Sequence, residues 1–241
     1  MASDQHVAVL GAGSWGTALA LLLCRNGHRV RLWDHWPEHV TSMRREGENR
    51  RYLPGFPFPD RLTLASELHE ALDGARELLV VVPSHAFGQV LAALPKPLPD
   101  DLGIAWATKG FEPNSGRLLH EVAGDVLGER DVAVVSGPSF AGEVARGLPT
   151  AVTVASPSPT HARRVADYLH GERFRAYVSE DVIGVQVGGA AKNVLAIATG
   201  LADGLGFGAN TRAALITRGL AEIIRLGSAL GGMKETFMGL A

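Results

Sequence analysis

Val7-Ala8-Val9-Leu10-Gly11-Ala12-Gly13-Ser14-Trp15-Gly16-Thr17-Ala18-Leu19-Ala20-Leu21-Leu22-Leu23 forms the first strand–helix unit of the chain, and the architecture can be built out from it. Four apolar residues form a buried strand, Gly-x-Gly-x-x-Gly follows at once, and an apolar helix leaves it. Gly11 allows a tight turn, Gly13 lets backbone approach a pyrophosphate, and Gly16 lets the helix pack close to the strand. The helix then aims its free N–H groups and positive dipole end at the phosphates. A strand–helix turn without a ligand can use the same glycines. Asn26-Gly27-His28-Arg29-Val30-Arg31-Leu32-Trp33-Asp34 adds a helix stop, a second strand and an acid where a ribose hydroxyl would lie, which favours the nucleotide reading.

Beyond this unit, the 241 residues allow one large domain or two smaller ones. Hydrophobic content of 46% and charged content of 20% suit a globular protein with a real core. A net charge of −2 gives no electrostatic footprint for nucleic acid or an anionic membrane. The single cysteine, Cys24, excludes an internal disulfide and points to a reducing compartment, the cytoplasm. Met1–His6 is too short and polar for a signal peptide. The apolar run from Val182 to Leu205 is interrupted by Gln186, Lys192, Asn193 and Asp203, so it reads as a buried helix and not a membrane span.

Strand and helix signals alternate from residue 7 to about 178. Leu78–Val82 is apolar on both faces and reads as a buried parallel strand. Further strands lie at Leu62–Leu64, Ile104–Ala107, Val132–Val135, Ala151–Ala155 and Phe174–Val178. Ser66 reads as a helix N-cap, Pro37 as a first-turn residue, and Tyr52–Pro59 as a proline-rich loop. This alternation predicts an α/β, doubly wound, Rossmann-like parallel sheet over residues 1–180, the dinucleotide-binding domain. Ligands bind beyond the carboxyl ends of such strands. Gly11-Ala12-Gly13, Pro83-Ser84, Thr108-Lys109-Gly110 and Ser136-Gly137-Pro138-Ser139 all fall there. From Ser179 strand signals stop, and residues 181–241 read as an all-helical substrate and catalytic domain. In Thr211–Leu230 the residues Ala213, Ile216, Leu220, Ile223 and Ile224 recur at helical spacing, with Arg218, Glu222 and Arg225 on another face.

Gly188-Gly189-Ala190-Ala191-Lys192-Asn193 places a lysine inside an apolar, small-residue helix. A buried ammonium needs a carboxylate partner or a chemical role. A dehydrogenase offers such a role, because it needs an acid that protonates a carbonyl oxygen as hydride arrives, and a base in reverse. Lys109, at a strand end, is either a solvated lysine or a holder of a substrate phosphate or developing oxyanion. The histidines, His35 and His85 included, have no ligand-spaced partners, so no metal is expected.

Six stretches together resemble one family, the bacterial NAD(P)-dependent sn-glycerol-3-phosphate dehydrogenases. They are Gly11–Ala20, Val80–His85, Trp106–Gly110, Ser136–Ala141, Gly184–Val194 and Gly206–Gly219. The resemblance implies hydride transfer between NADH or NADPH and dihydroxyacetone phosphate, giving sn-glycerol 3-phosphate for phospholipid synthesis. It implies Lys192 as proton donor and acceptor, with Lys109, Gly137, Ser139 and Asn193 at the substrate. Ser14, Trp15, His35, Lys109 and Ala141 would meet the cofactor, beside Gly11, Gly13, Gly16 and Asp34. It also implies a homodimer. Two departures stand out. Asp34 favours the ribose hydroxyls of NAD where relatives using NADP carry a small residue, while a protonated His35 would favour NADP. The chain is also expected to lack the later helices of the family, whose aspartate and arginine–asparagine pair serve the substrate. It then binds cofactor yet turns over poorly. A related hydroxy-acid dehydrogenase, of 6-phosphogluconate or hydroxyisobutyrate type, and a non-catalytic NAD(P)-binding module are the competing readings.

Overall fold

The computed structural model describes residues 6–240; residues 1–5, most of the segment read as too short for a signal peptide, lie outside the described residues. β1 (His6–Leu10) is buried along its whole length. It pairs in parallel with β2 (Val30–Trp33) on one side and β6 (Ala75–Val80) on the other, with Leu10 level with both Trp33 and Val80. β5 (Leu62–Ala65) lies outside β2, and β7 (Gly103–Trp106), β8 (Val132–Ser136), β9 (Thr150–Ala155) and β10 (Phe174–Ser179) extend the other side. The sheet order is β10-β9-β8-β7-β6-β1-β2-β5. Residues alternate between two cores: Val7, Val9 and Leu79 face one, and Ala8, Leu10, Leu78 and Val80 face the other. The first core takes α1 (Ser14–Arg25) and α7 (Pro159–Leu169), and the second takes α4 (Ser84–Ala92) and α5 (Leu119–Leu127). Cys24 sits in the first core, where burial pushes its thiol up to about 11, so it is an inert packing residue.

The sheet is parallel except between β8 and β9, which run antiparallel. The reason lies in α6 (Ala141–Arg146), the helix between them. Six helical residues climb about 9 Å, short of the roughly 17 Å length of a five-residue strand. The chain therefore re-enters the sheet from the end at which it left. Two local expectations also change. Tyr52–Pro59 is not wholly irregular, because β4 (Leu53–Pro57) pairs antiparallel with β3 (Glu48–Asn49). Prolines are tolerated there since a two-stranded ribbon is all edge. The helix α3 (Leu68–Leu72) starts from Glu67 and not Ser66, and the Ser66 carbonyl instead accepts the Trp33 indole N–H. α2 (Pro37–Glu46) starts on Pro37 as expected, with Glu38 in its first turn.

The last part is helical: α8 (Val182–Gly204), α9 (Ala209–Ala229) and α10 (Lys234–Leu240). On α9, Arg218 and Arg225 both pair with Glu222. The expectation of a buried α8 holds for residues 184–189 in its first turns and, beyond them, for Ala202 alone among its described residues. Val185 and Val187 are fully buried, whereas Val194, Ile197 and Leu201 are 71%, 72% and 63% exposed. The helix docks on the sheet at one end and runs on beside α9. By length and composition it could cross a membrane. A span would have to strip its first half from the sheet and bury Lys192 in lipid.

Candidate active site

Gly11 adopts φ +112°, open to glycine, and a Cβ there would lie 2.7 Å from the Val81 carbonyl oxygen. A Cβ on Gly16 would collide with the Gly11 carbonyl. Packing within the chain thus demands both glycines. Gly13 is different: a Cβ on it would meet nothing within 4 Å. It is also the N-cap of α1, and no side chain caps that helix. Bare backbone donors and open space at one helix end fit a pyrophosphate. The turn therefore suits the pyrophosphate of a dinucleotide.

Three further strand ends converge beside the turn. Thr108 anchors the end of β7 by donating its hydroxyl to Val82 O at 2.8 Å. Lys109 follows and donates from Nζ to Gly137 O at 3.2 Å and to Ser139 Oγ at 3.4 Å. Gly137 continues β8 and is pinned against β9, where a Cβ would lie 2.7 Å from Ala151 O. Lys192, from α8, donates to the same Gly137 carbonyl. α8 is held in place by Asp181, whose carboxylate accepts the Gly184 N–H at 2.7 Å and also ties down α10 through the Met233 N–H and the Thr236 hydroxyl. One turn before Lys192, Gly189 lies against Ser136, at the end of β8.

Ser14, Trp15, Lys109, Ser139, Ala141, Lys192 and Asn193 all line one cavity of about 520 Å³. The two amines share an acceptor, and no carboxylate neutralises them there. Burial lowers the pKa of both. For Lys109 the Lys192 charge adds to desolvation and brings it down to about 7. For Lys192 burial is the leading cause of its lowering, partly opposed by the neighbouring Lys109 amine. The cavity so holds two amines whose pKa values burial depresses, an arrangement suited to an anionic ligand. Lys109 also lies 5.6 Å above the Trp15 ring, and the buried Trp15 indole N–H has no partner among the described residues. Asp34 and His35 lie outside this cavity, at the end of β2. The site also uses residues read at first only as core or loop. Ile216, Ile223 and Phe237 wall the cavity with Phe140; the stripe on α9 signalled the first two, and nothing in the sequence signalled Phe237. A larger opening of about 680 Å³ at the amino ends of β7 and β8 lies away from the glycine turn and mixes Asp100, Asp101, Glu129 and Asp131 with Arg130 and Arg164.

A doubly wound sheet, an uncapped glycine turn and a paired-amine cavity at the carboxyl ends of the strands define a nicotinamide-dependent dehydrogenase. Family models for the NAD-dependent glycerol-3-phosphate dehydrogenase N-terminus and C-terminus match residues 6–162 and 181–241. The chain belongs to that family. It is 57% identical over 238 residues to the glycerol-3-phosphate dehydrogenase [NAD(P)+] of Stenotrophomonas maltophilia (strain R551-3), covering 98% of this chain and 70% of the relative. Against the enzyme of the same name from Thioalkalivibrio sulfidiphilus, identity is 58% over 240 residues, covering 99% and 72%. The crystal structure of glycerol-3-phosphate dehydrogenase from Coxiella burnetii superposes with a TM-score of 0.92 at 50% identity, covering 98% of this chain and 73% of that one.

Proposed function

We propose that Lys192 is the proton donor and acceptor in the interconversion of dihydroxyacetone phosphate and sn-glycerol 3-phosphate. The reaction and the use of NAD or NADP follow from family membership; the assignment to residues is our reading. What carries it is the meeting of Lys109 and Lys192 on the Gly137 carbonyl, in the cavity that also exposes Ser14 and Trp15 beside the glycine turn. A reduced nicotinamide dinucleotide held by its pyrophosphate at that turn would supply the hydride that the carbonyl carbon takes up. As charge develops on the carbonyl oxygen, Lys192 gives it a proton from Nζ; in the oxidative direction Lys192 takes the proton back from the hydroxyl. Lys109 and the Ser139 hydroxyl hold the substrate, and Asn193 assists from the next position on α8. Ala141 and Trp15 shape the cofactor side, and Ile216, Ile223 and the buried Phe237 form an apolar wall opposite.

In the same reading, residues 1–180 bind nucleotide and residues 181–241 carry the catalytic amine. We further assign the protein to the cytoplasm, to glycerophospholipid synthesis and to a homodimer. The test is oxidation of NADH and NADPH by the full-length protein with dihydroxyacetone phosphate. Turnover with this ketone, and none with oxo acids of the 6-phosphogluconate or hydroxyisobutyrate type, is expected. Turnover with the oxo acids alone overturns the reading.

A further inference from the structure

Asp34 does not present a free carboxylate to a nucleotide. Its Oδ1 accepts the Trp36 N–H at 2.9 Å, and its Oδ2 lies 3.1 Å from His39 Nδ1. On the far side of that imidazole, Nε2 meets Asn49 Oδ1 at 3.1 Å. The Asn49 amide is oriented without ambiguity, because its nitrogen donates at 2.8 Å to Ala12 O, which can only accept. His39 Nε2 must therefore be a donor. Both Asp34 oxygens are thus engaged inside the fold, Oδ2 by His39 Nδ1 and Oδ1 by the Trp36 N–H, with His35 Nδ1 also 3.3 Å from Oδ1. The Asp34 side chain is only 8% exposed. The acid that selects NAD in this fold by repelling a 2′-phosphate is thus engaged by its neighbours and covered.

Positive charge sits beside it. The Arg51 guanidinium stacks 4.4 Å over the Trp36 ring and 5.3 Å from the Tyr52 ring. It is exposed and makes no ion pair among the described residues, whereas its neighbour Arg50 is paired with Glu48. His35, 83% exposed, lies on the same strand end. A guanidinium stacked on an indole keeps its in-plane N–H groups free and loses little further freedom on binding a phosphate.

We propose that Arg51, stacked on Trp36, grips the 2′-phosphate of NADP, and that the Asp34–His39–Asn49 chain permits this by engaging and covering the Asp34 carboxylate. The chain then prefers the phosphorylated cofactor although it carries an acid at the end of β2. The proposal rests on the nucleotide lying in the Gly11–Gly16 turn. Titration calorimetry of the full-length protein with NADPH and NADH tests it. NADPH is expected to bind more tightly than NADH. Arg51→Gln, a surface change, is expected to weaken NADPH about 10–100-fold, the size of one charge-assisted contact, and to leave NADH within about twofold. The NADPH loss should shrink as salt rises. His39→Gln, which takes the imidazole away from Oδ2 and leaves the carboxylate to the Trp36 N–H and the exposed His35 ring, should weaken NADPH and spare NADH. Tighter NADH binding by the wild type, or equal weakening of both cofactors by Arg51→Gln, overturns the proposal alone. Failure of the wild type to bind either cofactor overturns the nucleotide site and this proposal with it.

Discussion

Replacing Gly189 with alanine tests how Lys192 reaches the cavity. A Cβ at 189 would approach Ser136 Oγ more than 1 Å inside the 3.4 Å at which ordinary contact begins. Ser136 is buried at the end of β8, so unless its Oγ, which has no hydrogen-bond partner among the described residues, turns to another rotamer, the first turns of α8 withdraw by about that amount. Lys192 lies three residues on, on the same helix face, and moves with them. A misplacement of about 1 Å costs on the order of 10²-fold in kcat when it falls on a proton donor. Overpacking also costs about 1–3 kcal/mol of stability, which urea unfolding measures separately. The assay is steady-state reduction of dihydroxyacetone phosphate, with cofactor affinity read by calorimetry. kcat should fall about 10²-fold while cofactor affinity holds, because the glycine turn lies on β1 and α1. Adding Ser136→Ala removes Oγ and leaves the nearest atom, the Cβ at position 136, at 3.3 Å. The double variant should recover most of the rate. Wild-type kcat in Gly189→Ala, or a loss that Ser136→Ala does not relieve, refutes the reasoning.

Two other groups give pH-dependent predictions. Burial raises Glu77 from 4.5 to about 7, against the pull of Arg164, whose Nε lies 3.1 Å from Oε2. Between those two values the folded protein holds a proton that the unfolded chain has released, so stability falls as pH rises through the window. Glu77→Gln should flatten that slope and be more stable than wild type at pH 8, by roughly 1–3 kcal/mol in urea unfolding. An unchanged slope sinks this prediction. Lys109, pushed down to about 7, is mostly neutral at pH 8 and regains its proton beside a phosphate dianion. Binding of dihydroxyacetone phosphate at pH 8 should take up close to one proton, seen as a dependence of binding heat on buffer ionisation enthalpy. Lys109→Met should abolish the uptake, and its persistence there would assign the proton elsewhere.

The glycine turn, the strand–helix alternation and the isolated lysine on α8 were legible in the sequence, because each is a local pattern with one inexpensive structural solution. The reversal at β9 was not legible, since it depends on how far a six-residue helix climbs and not on its composition. The small ribbon over residues 48–57 was hidden by prolines that an edge tolerates. The distal half of α8 reads as core by composition, yet only docking decides burial, and Val194 and Ile197 dock on nothing among the described residues. Asp34 could be read as an acid at a ribose position. That His39, on the next helix, and Asn49, on a separate ribbon, would engage it is a tertiary fact, carried by three side chains with no periodic signal. The convergence of Lys109 and Lys192 on one carbonyl is likewise set by strand order, although each lysine was singled out by its own surroundings.

Whether Lys192 delivers the proton is decided by the rate of the chemical step in Lys192→Ala. Single-turnover reduction of dihydroxyacetone phosphate with pre-bound NADPH isolates that step from binding and release. Loss of the amine should slow it by about 10²–10⁴-fold, the usual contribution of a positioned acid, with NADPH affinity unchanged. A single-turnover rate within about threefold of wild type would show that another group delivers the proton.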